Sequence, residues 1–326
     1  MRRIVIAMTT LALVACGINP ATEQPPQPGT ATTLPTSSST TPTIETTTTA
    51  APVATTTTNG APATTTTAQQ ATTTTRPVGP MVVAPYFYID ETGHPNRTGP
   101  FLFPMAREAA PTVGVARAAI EQLLAGPSSA EGESVPAIST AVPAGVRLLG
   151  LTVDAGLATI DLSSEFEAED DSASVAARAA QVVFTLTRFD TVDRVSFREE
   201  GSPVSIQTGD GQLVSRPVDR DDYLDLAAAL SVEGPVYRGI AGNPLRVTGF
   251  GAVFEASFQY ALTDDDGLII EEGLAMTSKG TGWGAFDFTV DYEVDRSQVG
   301  ALILWTHSAE NGAQIDLREY PVALTP

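Results

Sequence analysis

From Pro20 to Pro80 the chain offers almost nothing to bury. It is threonine, alanine and proline with hardly a large apolar residue, and four-residue threonine blocks recur at Thr46–Thr49, Thr55–Thr58, Thr64–Thr67 and Thr72–Thr75. Too little apolar surface is present to offset the entropy of ordering, so this stretch is expected to stay disordered. As a flexible coil, some sixty residues span roughly 45 Å, and as an extended polyproline-like chain up to about 190 Å. A fold must therefore come from the remaining residues, where composition changes abruptly at Met81. The stretch reads as a bare spacer, with an O-glycosylated stalk as the alternative.

The residues before the spacer say where the protein works. Arg2 and Arg3 are followed by an apolar run from Ile4 to Val14, which is signal-peptide length and too short for a membrane-spanning helix. It ends in Leu13-Val14-Ala15-Cys16, which resembles the lipobox of bacterial lipoprotein precursors. That resemblance implies cleavage of residues 1–15, acylation of Cys16 and anchoring at the extracytoplasmic face of the cell membrane. Residues 16–80 are then a tether. Cys16 is the only cysteine, so once acylated it leaves no disulfide and no thiolate metal site. A formal net charge of −20 argues against nucleic acid as a partner and against electrostatic adhesion to anionic lipid.

Residues 81–230 read as an α+β domain. Val82 to Ile89 has the β-branched and aromatic content of a strand, and Phe101-Leu102-Phe103 fits a short partner. Val113, Ala116, Ile120, Leu123 and Leu124 fall at helical spacing, with Thr112 placed to cap the start and Gly126-Pro127 to stop the helix. Val146–Asp154 and Leu157–Leu162 form a hairpin around Asp154-Ala155-Gly156, with Leu149, Leu151 and Val153 alternating. A second helix is expected over Ser174–Phe189, buried along Val175, Ala179, Val182, Val183 and Leu186, with Asp170 and Asp171 at its N-terminal dipole. Arg194–Arg198 is a further strand, which makes a small mixed sheet with two helices on one face. Arg216 to Glu233, with its alanine-leucine run, predicts a terminal helix joining this domain to a second one.

Residues 231–326 read as a second domain, in which the periodicity becomes two from Leu245 onward. Phe254, Ala256, Phe258, Tyr260 and Leu262 are expected on one strand face. Asp264-Asp265-Asp266-Gly267 makes a turn, and Phe286, Phe288, Val290 and Tyr292 alternate in another strand, as do Ala301, Ile303 and Trp305 in a third. Short strands with glycine-rich turns and no helix predict an immunoglobulin-like β-sandwich.

Both stretches carry resemblances. Arg107, A-A-I-E-Q-L-L-A-G-P at Ala118–Pro127, Val142-Pro143 with Gly145, L-L-G-L-T-V-D-A-G at Leu148–Gly156, A-T-I-D-L-S-S-E-F at Ala158–Phe166, V-V-F-T-L-T-R-F at Val182–Phe189 and V-D-R-V-S-F-R at Val192–Arg198 resemble the GerMN domain of spore germination proteins. V-T-G-F-G-A-V-F-E-A at Val247–Ala256, G-T-G-W-G-A-F at Gly280–Phe286 and S-A-E-N-G at Ser308–Gly312 resemble the immunoglobulin-like domain of bacterial spore germination, with Asn311 where that pattern often has aspartate. Neither family has established catalytic residues, and the first also occurs in lipoproteins of actinobacteria that make no spores. The resemblances imply a noncatalytic binding or assembly module of the cell envelope, with no cofactor. Its partner would be an envelope protein or a peptidoglycan component.

Catalytic signatures are sparse. No nucleophile elbow, phosphate loop or dinucleotide fingerprint occurs. The two histidines, His94 and His307, lie far apart without metal-ligand spacing. Asp264–Asp266 with Gly267 lacks the acidic spacing of an EF-hand, since Leu262 and Gly273 stand where ligands would be needed. The alternative function is a wall-active hydrolase working through a pair of carboxylates, and with thirty-eight acidic residues no pair stands out. Candidate partner-binding residues are Ser163, Ser164 and Glu165, which follow a strand, and Trp283, on a loop among glycines. Each has an ordinary alternative: the first three cap the next segment of the chain, and Trp283 folds inward to cover the end of the sandwich.

Overall fold

A computed structural model describes residues 80–90, 99–134, 136–167 and 172–326, all within one compact unit. The leader, Cys16, the tether, His94 and the Asp170-Asp171 pair lie outside the described residues.

The first half opens with β1 (Met81–Val83) and β2 (Tyr86–Asp90), followed by β3 (Phe101–Pro104) and β4 (Arg107–Ala109). Tyr86, Phe87, Tyr88 and Ile89 are all buried, so β2 is covered on both faces. It is the middle strand of an antiparallel sheet with β3 and β5 (Ala137–Ser139), while β1 pairs separately with β4. Helix α1 (Val115–Ala125) starts later than its apolar spacing suggests. Thr112 Oγ1 accepts from the Gly114 amide at 3.1 Å, too early in the chain to cap the helix, and Val113 is left exposed rather than on the buried face. Gly126 ends it at φ 73°, as expected. The short α2 (Ser129–Gly132) is held by a capping box between Ser128 and Glu131. Glu131 also takes a two-pronged ion pair from Arg107 at 2.8 and 2.9 Å.

β6 (Leu148–Asp154) and β7 (Gly156–Leu162) form the expected hairpin. Ala155 (φ 46°) and Gly156 (φ 81°) both take the left-handed conformation that a two-residue hairpin turn of matching twist requires. The register shifts by a bulge between Leu148 and Gly150; Leu149 and Val153 are exposed, while Leu151 packs on the core. From β7 the chain crosses through α3 (Ser172–Leu186) to β8 (Val192–Glu199), which lies parallel to β7, and β9 (Ser202–Pro203) completes the mixed sheet β6-β7-β8-β9. α3 is buried on every side from Arg178 to Leu186, wider than the stripe its apolar spacing shows. Gln181 explains part of this: its amide donates to the Tyr86 carbonyl and its carbonyl accepts from Ala141 N and Thr140 Oγ1, so a polar residue is satisfied inside.

After a small ribbon of β10 (Ile206–Gln207) and β11 (Leu213–Val214), the expected joining helix is replaced by a 3-10 turn over Arg220–Leu226 and a strand, β12 (Leu230–Gly234). Asp219 caps the turn with Asp222, but Tyr223 leaves helical geometry (φ −138°) and its hydroxyl donates to the Gln207 carbonyl. Helix propensity in the alanine-leucine run is overridden because Leu230 and Val232 are needed in the next sheet.

The second half is two packed antiparallel sheets. One is β12-β13-β16, with β13 at Leu245–Gly251 and β16 at Gly284–Val290; the other is β15-β14-β17-β18, with β14 at Ser257–Thr263, β15 at Ile269–Met276, β17 at Gln298–His307 and β18 at Gln314–Leu324. Phe258, Phe286 and Phe288 meet between them, with ring centroids 5.0 to 6.2 Å apart. Gly249 permits this packing: a Cβ there would lie 2.1 Å from the Ser231 carbonyl and 2.5 Å from the Phe286 ring. One expectation changes: Phe254 falls in a 3-10 turn before β14 and is exposed. The expected alternation in β17 holds, with Leu302 and Leu304 turned into the core and Ala301, Ile303 and Trp305 on the half-exposed outer face. Leu245, Val247 and Val290 complete the inner face.

The two halves share one hydrophobic core that runs from Tyr86 to Leu324. Phe103 of β3 meets Tyr320 of β18 (5.2 Å) and Tyr237 (5.9 Å), and the Tyr237 amide donates to the Pro104 carbonyl at 2.9 Å. Among the described residues, no helix is long and apolar enough to cross a membrane.

Candidate functional site

Ser163 is fully buried at the end of β7. Its Oγ accepts from the Arg147 amide at 2.9 Å, its own amide donates to the Arg147 carbonyl, and its carbonyl receives the Phe166 amide. A hydrogen bond from Ser163 also leads the causes that hold the Glu165 carboxyl below its ordinary value. Ser164 and Glu165 are exposed at the head of a 3-10 turn, Ser164–Glu167. The structure therefore gives Ser163 a capping role and leaves only Ser164 and Glu165 open to a partner.

Trp283 is neither a free loop anchor nor a fully buried cap. It is half-buried in the connection from β15 to β16, and its ring sits 5.6 Å from that of Phe250. Phe250 in turn stacks at 6.1 Å on Phe184 of α3. A file of aromatics thus leads from the sandwich into the first half.

Beside that file is a charged cluster invisible to residue spacing. Glu233 Oε1, on β12, accepts from Tyr86 Oη and from an Arg220 guanidinium nitrogen, both at 2.7 Å. Arg188 reaches the same carboxylate at 3.9 Å and donates to the Glu233 carbonyl at 3.1 Å. Arg220 also donates to Thr187 Oγ1 at 2.7 Å and lies over the rings of Phe184 (5.1 Å), Phe250 (5.8 Å) and Tyr86 (5.9 Å). Burial pushes the Glu233 carboxyl up, but the Arg220 charge, the Tyr86 hydroxyl and Arg188 together bring it below its ordinary value. Burial likewise pulls Arg220 down and is outweighed, while the Tyr86 phenol is pushed far up by burial and by Glu233. Tyr86, Arg220 and Glu233 come from separate elements, and only the folded chain brings all three together. The arrangement fixes the joint between the halves.

Two groups of carboxylates bear on hydrolysis. Asp210, Asp221, Asp222 and Asp225 share a hollow of about 320 Å³ with Arg216. The Arg216 hydrogen bond holds Asp222 down and Thr208 holds Asp210 down, so both favour the charged form and neither is suited to act as a general acid. At the end of β8, burial and the neighbouring Glu167, Glu200 and Glu165 push Glu199 up. Among the described residues, no group of three or more His, Cys, Asp or Glu side chains is placed to hold a metal ion.

A family model described as sporulation and spore germination (Germane) matches residues 85–205, and one described as the immunoglobulin-like domain of bacterial spore germination matches residues 229–313. A comparison with curated proteins returns no match. Among solved structures, the tandem GerMN domains of the sporulation protein GerM from Bacillus subtilis are 15% identical, with a TM-score of 0.36; the match covers 65% of this chain and 62% of that one. The chain thus spans less than two thirds of that tandem structure. The first GerMN domain of the same protein is 18% identical with a TM-score of 0.35, covering 43% of this chain and 98% of that one. A putative lipoprotein from Clostridium perfringens is 17% identical with a TM-score of 0.30, covering 47% and 96%. Neither family is known for enzymes, and both are germination-related. The chain carries, in order, a Germane (GerMN) domain and an immunoglobulin-like domain of bacterial spore germination.

Proposed function

We propose that the protein is a lipoprotein held at the extracytoplasmic face of the cell membrane through Cys16. There it acts as a noncatalytic binding or assembly module of the cell envelope. The observation that supports this most is the joint. Two domains from germination-related families share one core, and a partly buried Arg220–Glu233–Tyr86 cluster ties them together. A rigid body of this kind presents both domains to a partner in fixed relation, and residues 16–80 supply the reach. Its partner is an envelope protein or a peptidoglycan component, not nucleic acid. Fractionation tests the anchor: Cys16→Ser should move the protein from the membrane to the soluble fraction, because a diacyl chain supplies the apolar burial that holds it. Retention of Cys16→Ser on membranes after a high-salt wash would overturn it.

A wall-active hydrolase is the second reading, favoured by one observation: Glu199 lies beside Glu167 at the end of β8, and burial together with that neighbour pushes its carboxyl above its ordinary value. Release of reducing ends from purified wall by the wild type, lost in Glu199→Gln, would establish it.

A further inference from the structure

At one end of the sandwich the outer face of the sheet β15-β14-β17-β18 opens into a hollow of about 860 Å³. Its floor is a row set by strand register, with Leu274 of β15 opposite Gln259 of β14 and Gln259 opposite Trp305 of β17. Phe254 and Ile315 stand at its sides. Phe254 (69% exposed) and Leu274 (65%) are large apolar side chains left in water, and Trp305 is half-exposed between them. An apolar surface of this kind, gathered in a concavity, marks an interaction site more often than scattered exposed residues do. The backbone at the rim is also held out of its easy conformations: Glu255 (φ 57°), Ala256 (φ 62°) and Asp316 (φ 53°) are non-glycine residues in the left-handed region.

The charge around the hollow selects the occupant. Glu255, Glu310 and Asp316 line it, and among the described residues that do so there is no lysine or arginine. β15 is the free edge of its sheet and adds the exposed Glu271 and Glu272. A second copy of the chain, itself at −20, would set these glutamates against their own images. The chain's own tether does not fit either, because residues 16–80 contain a single basic residue, Arg76, and hardly a large apolar one. The geometry points to an extended segment of a partner protein that carries apolar side chains together with lysine or arginine. Its apolar groups would lie on Leu274, Trp305 and Phe254, and its cations would meet Glu255 and Glu310.

This inference rests on the binding-module reading and names the partner's chemistry. It is tested by fluorescence anisotropy with the full mature chain and two labelled nine-residue peptides, one alternating lysine with leucine and the other glutamate with leucine. The lysine peptide should bind saturably at one site, and the glutamate peptide should not. Phe254→Ala with Leu274→Ala should weaken binding at least tenfold. Glu255→Gln with Glu310→Gln should do the same and flatten the salt dependence. All four side chains are solvent-facing, so melting temperatures should hold and a binding loss is not unfolding. Asp154→Asn with Asp193→Asn, which removes equal charge elsewhere, should change affinity less than twofold. Equal losses in the distant and local pairs would show diffuse electrostatic adhesion and overturn the site. So would binding of the glutamate peptide, absence of saturable binding, or capture of phosphatidylglycerol vesicles through Phe254 and Leu274. If peptide binding fails while Cys16-dependent crosslinks persist, the site alone is wrong. If it succeeds on a chain that never attaches to membranes, the anchor reading alone is wrong.

Discussion

Glu233→Gln removes one charge from the joint while keeping its shape, and its cost can be worked from the contacts. The carboxylate accepts from Tyr86 and Arg220 at 2.7 Å and is only 26% exposed, against 21% for Arg220. Removing one member of a buried ion pair costs about 3–5 kcal/mol because the survivor is left uncompensated. Partial solvent access at this site, and the oxygen that glutamine keeps, reduce that to about 2 kcal/mol. For a unit of this size the melting temperature should fall by about 4–8 °C. A double-mutant cycle with Arg220→Met, followed by urea unfolding of the mature chain, isolates the pair and should give a coupling of about 1.5 kcal/mol or more. Wild type should unfold in one transition, since the core is continuous across both halves. A cost for Glu233→Gln below about 0.5 kcal/mol with additive singles would refute the view that this cluster holds the joint.

Other expectations concern pH, packing and backbone approach. Glu233, Glu131 and Asp222 all have carboxyl groups held below their ordinary values in the folded chain, so their stabilisation is complete above the usual carboxylate range. It should be lost as pH falls through the folded values, and a urea series from pH 7 down to pH 3 should show stability falling below about pH 4.5. Glu199 has the opposite sign: pushed up, it opposes folding at neutral pH, so Glu199→Gln should leave stability at pH 7 unchanged or raise it, and a loss would contradict the assignment. Trp283→Ala should lower the melting temperature by about 3–6 °C, because its half-buried ring packs against Phe250, and no change would make Trp283 a free surface anchor. Gly249→Ala should prevent sandwich formation, visible as lost near-ultraviolet circular dichroism, since its Cβ would collide with the Ser231 carbonyl; a native-like spectrum would refute that.

Much of the fold is legible in the sequence because its signals are local. The hairpin turn at Ala155-Gly156, the Gly126 stop and the alternation at Phe286 and Phe288 each depend on a few neighbouring residues. The order of the two domains is legible too, from motifs such as Leu148–Gly156 and Gly280–Phe286. Local signals mislead where tertiary demand overrides them. The alanine-leucine run that ends at Leu230 favours helix by propensity, yet Leu230 opens β12, which pairs as a strand with β13. Period alone does not assign the inner face of β17, because Trp305 and Ile303 are as apolar as Leu302 and Leu304 and alternation does not say which set turns inward. The joint is out of reach for another reason. Tyr86 and Glu233 are 147 residues apart, and nothing local to either reports the other. The glycine neighbours of Trp283 show that it is on a loop but not that Phe250 is waiting beneath it.

The measurement that bears most directly on an anchored binding module is crosslinking in intact cells with mass spectrometry, comparing wild type with Cys16→Ser. Wild type should yield crosslinks from residues 80–326 to extracytoplasmic envelope components, and these should largely disappear when Cys16 is replaced. Crosslinks to cytoplasmic proteins, or the same envelope crosslinks undiminished in Cys16→Ser, would contradict it.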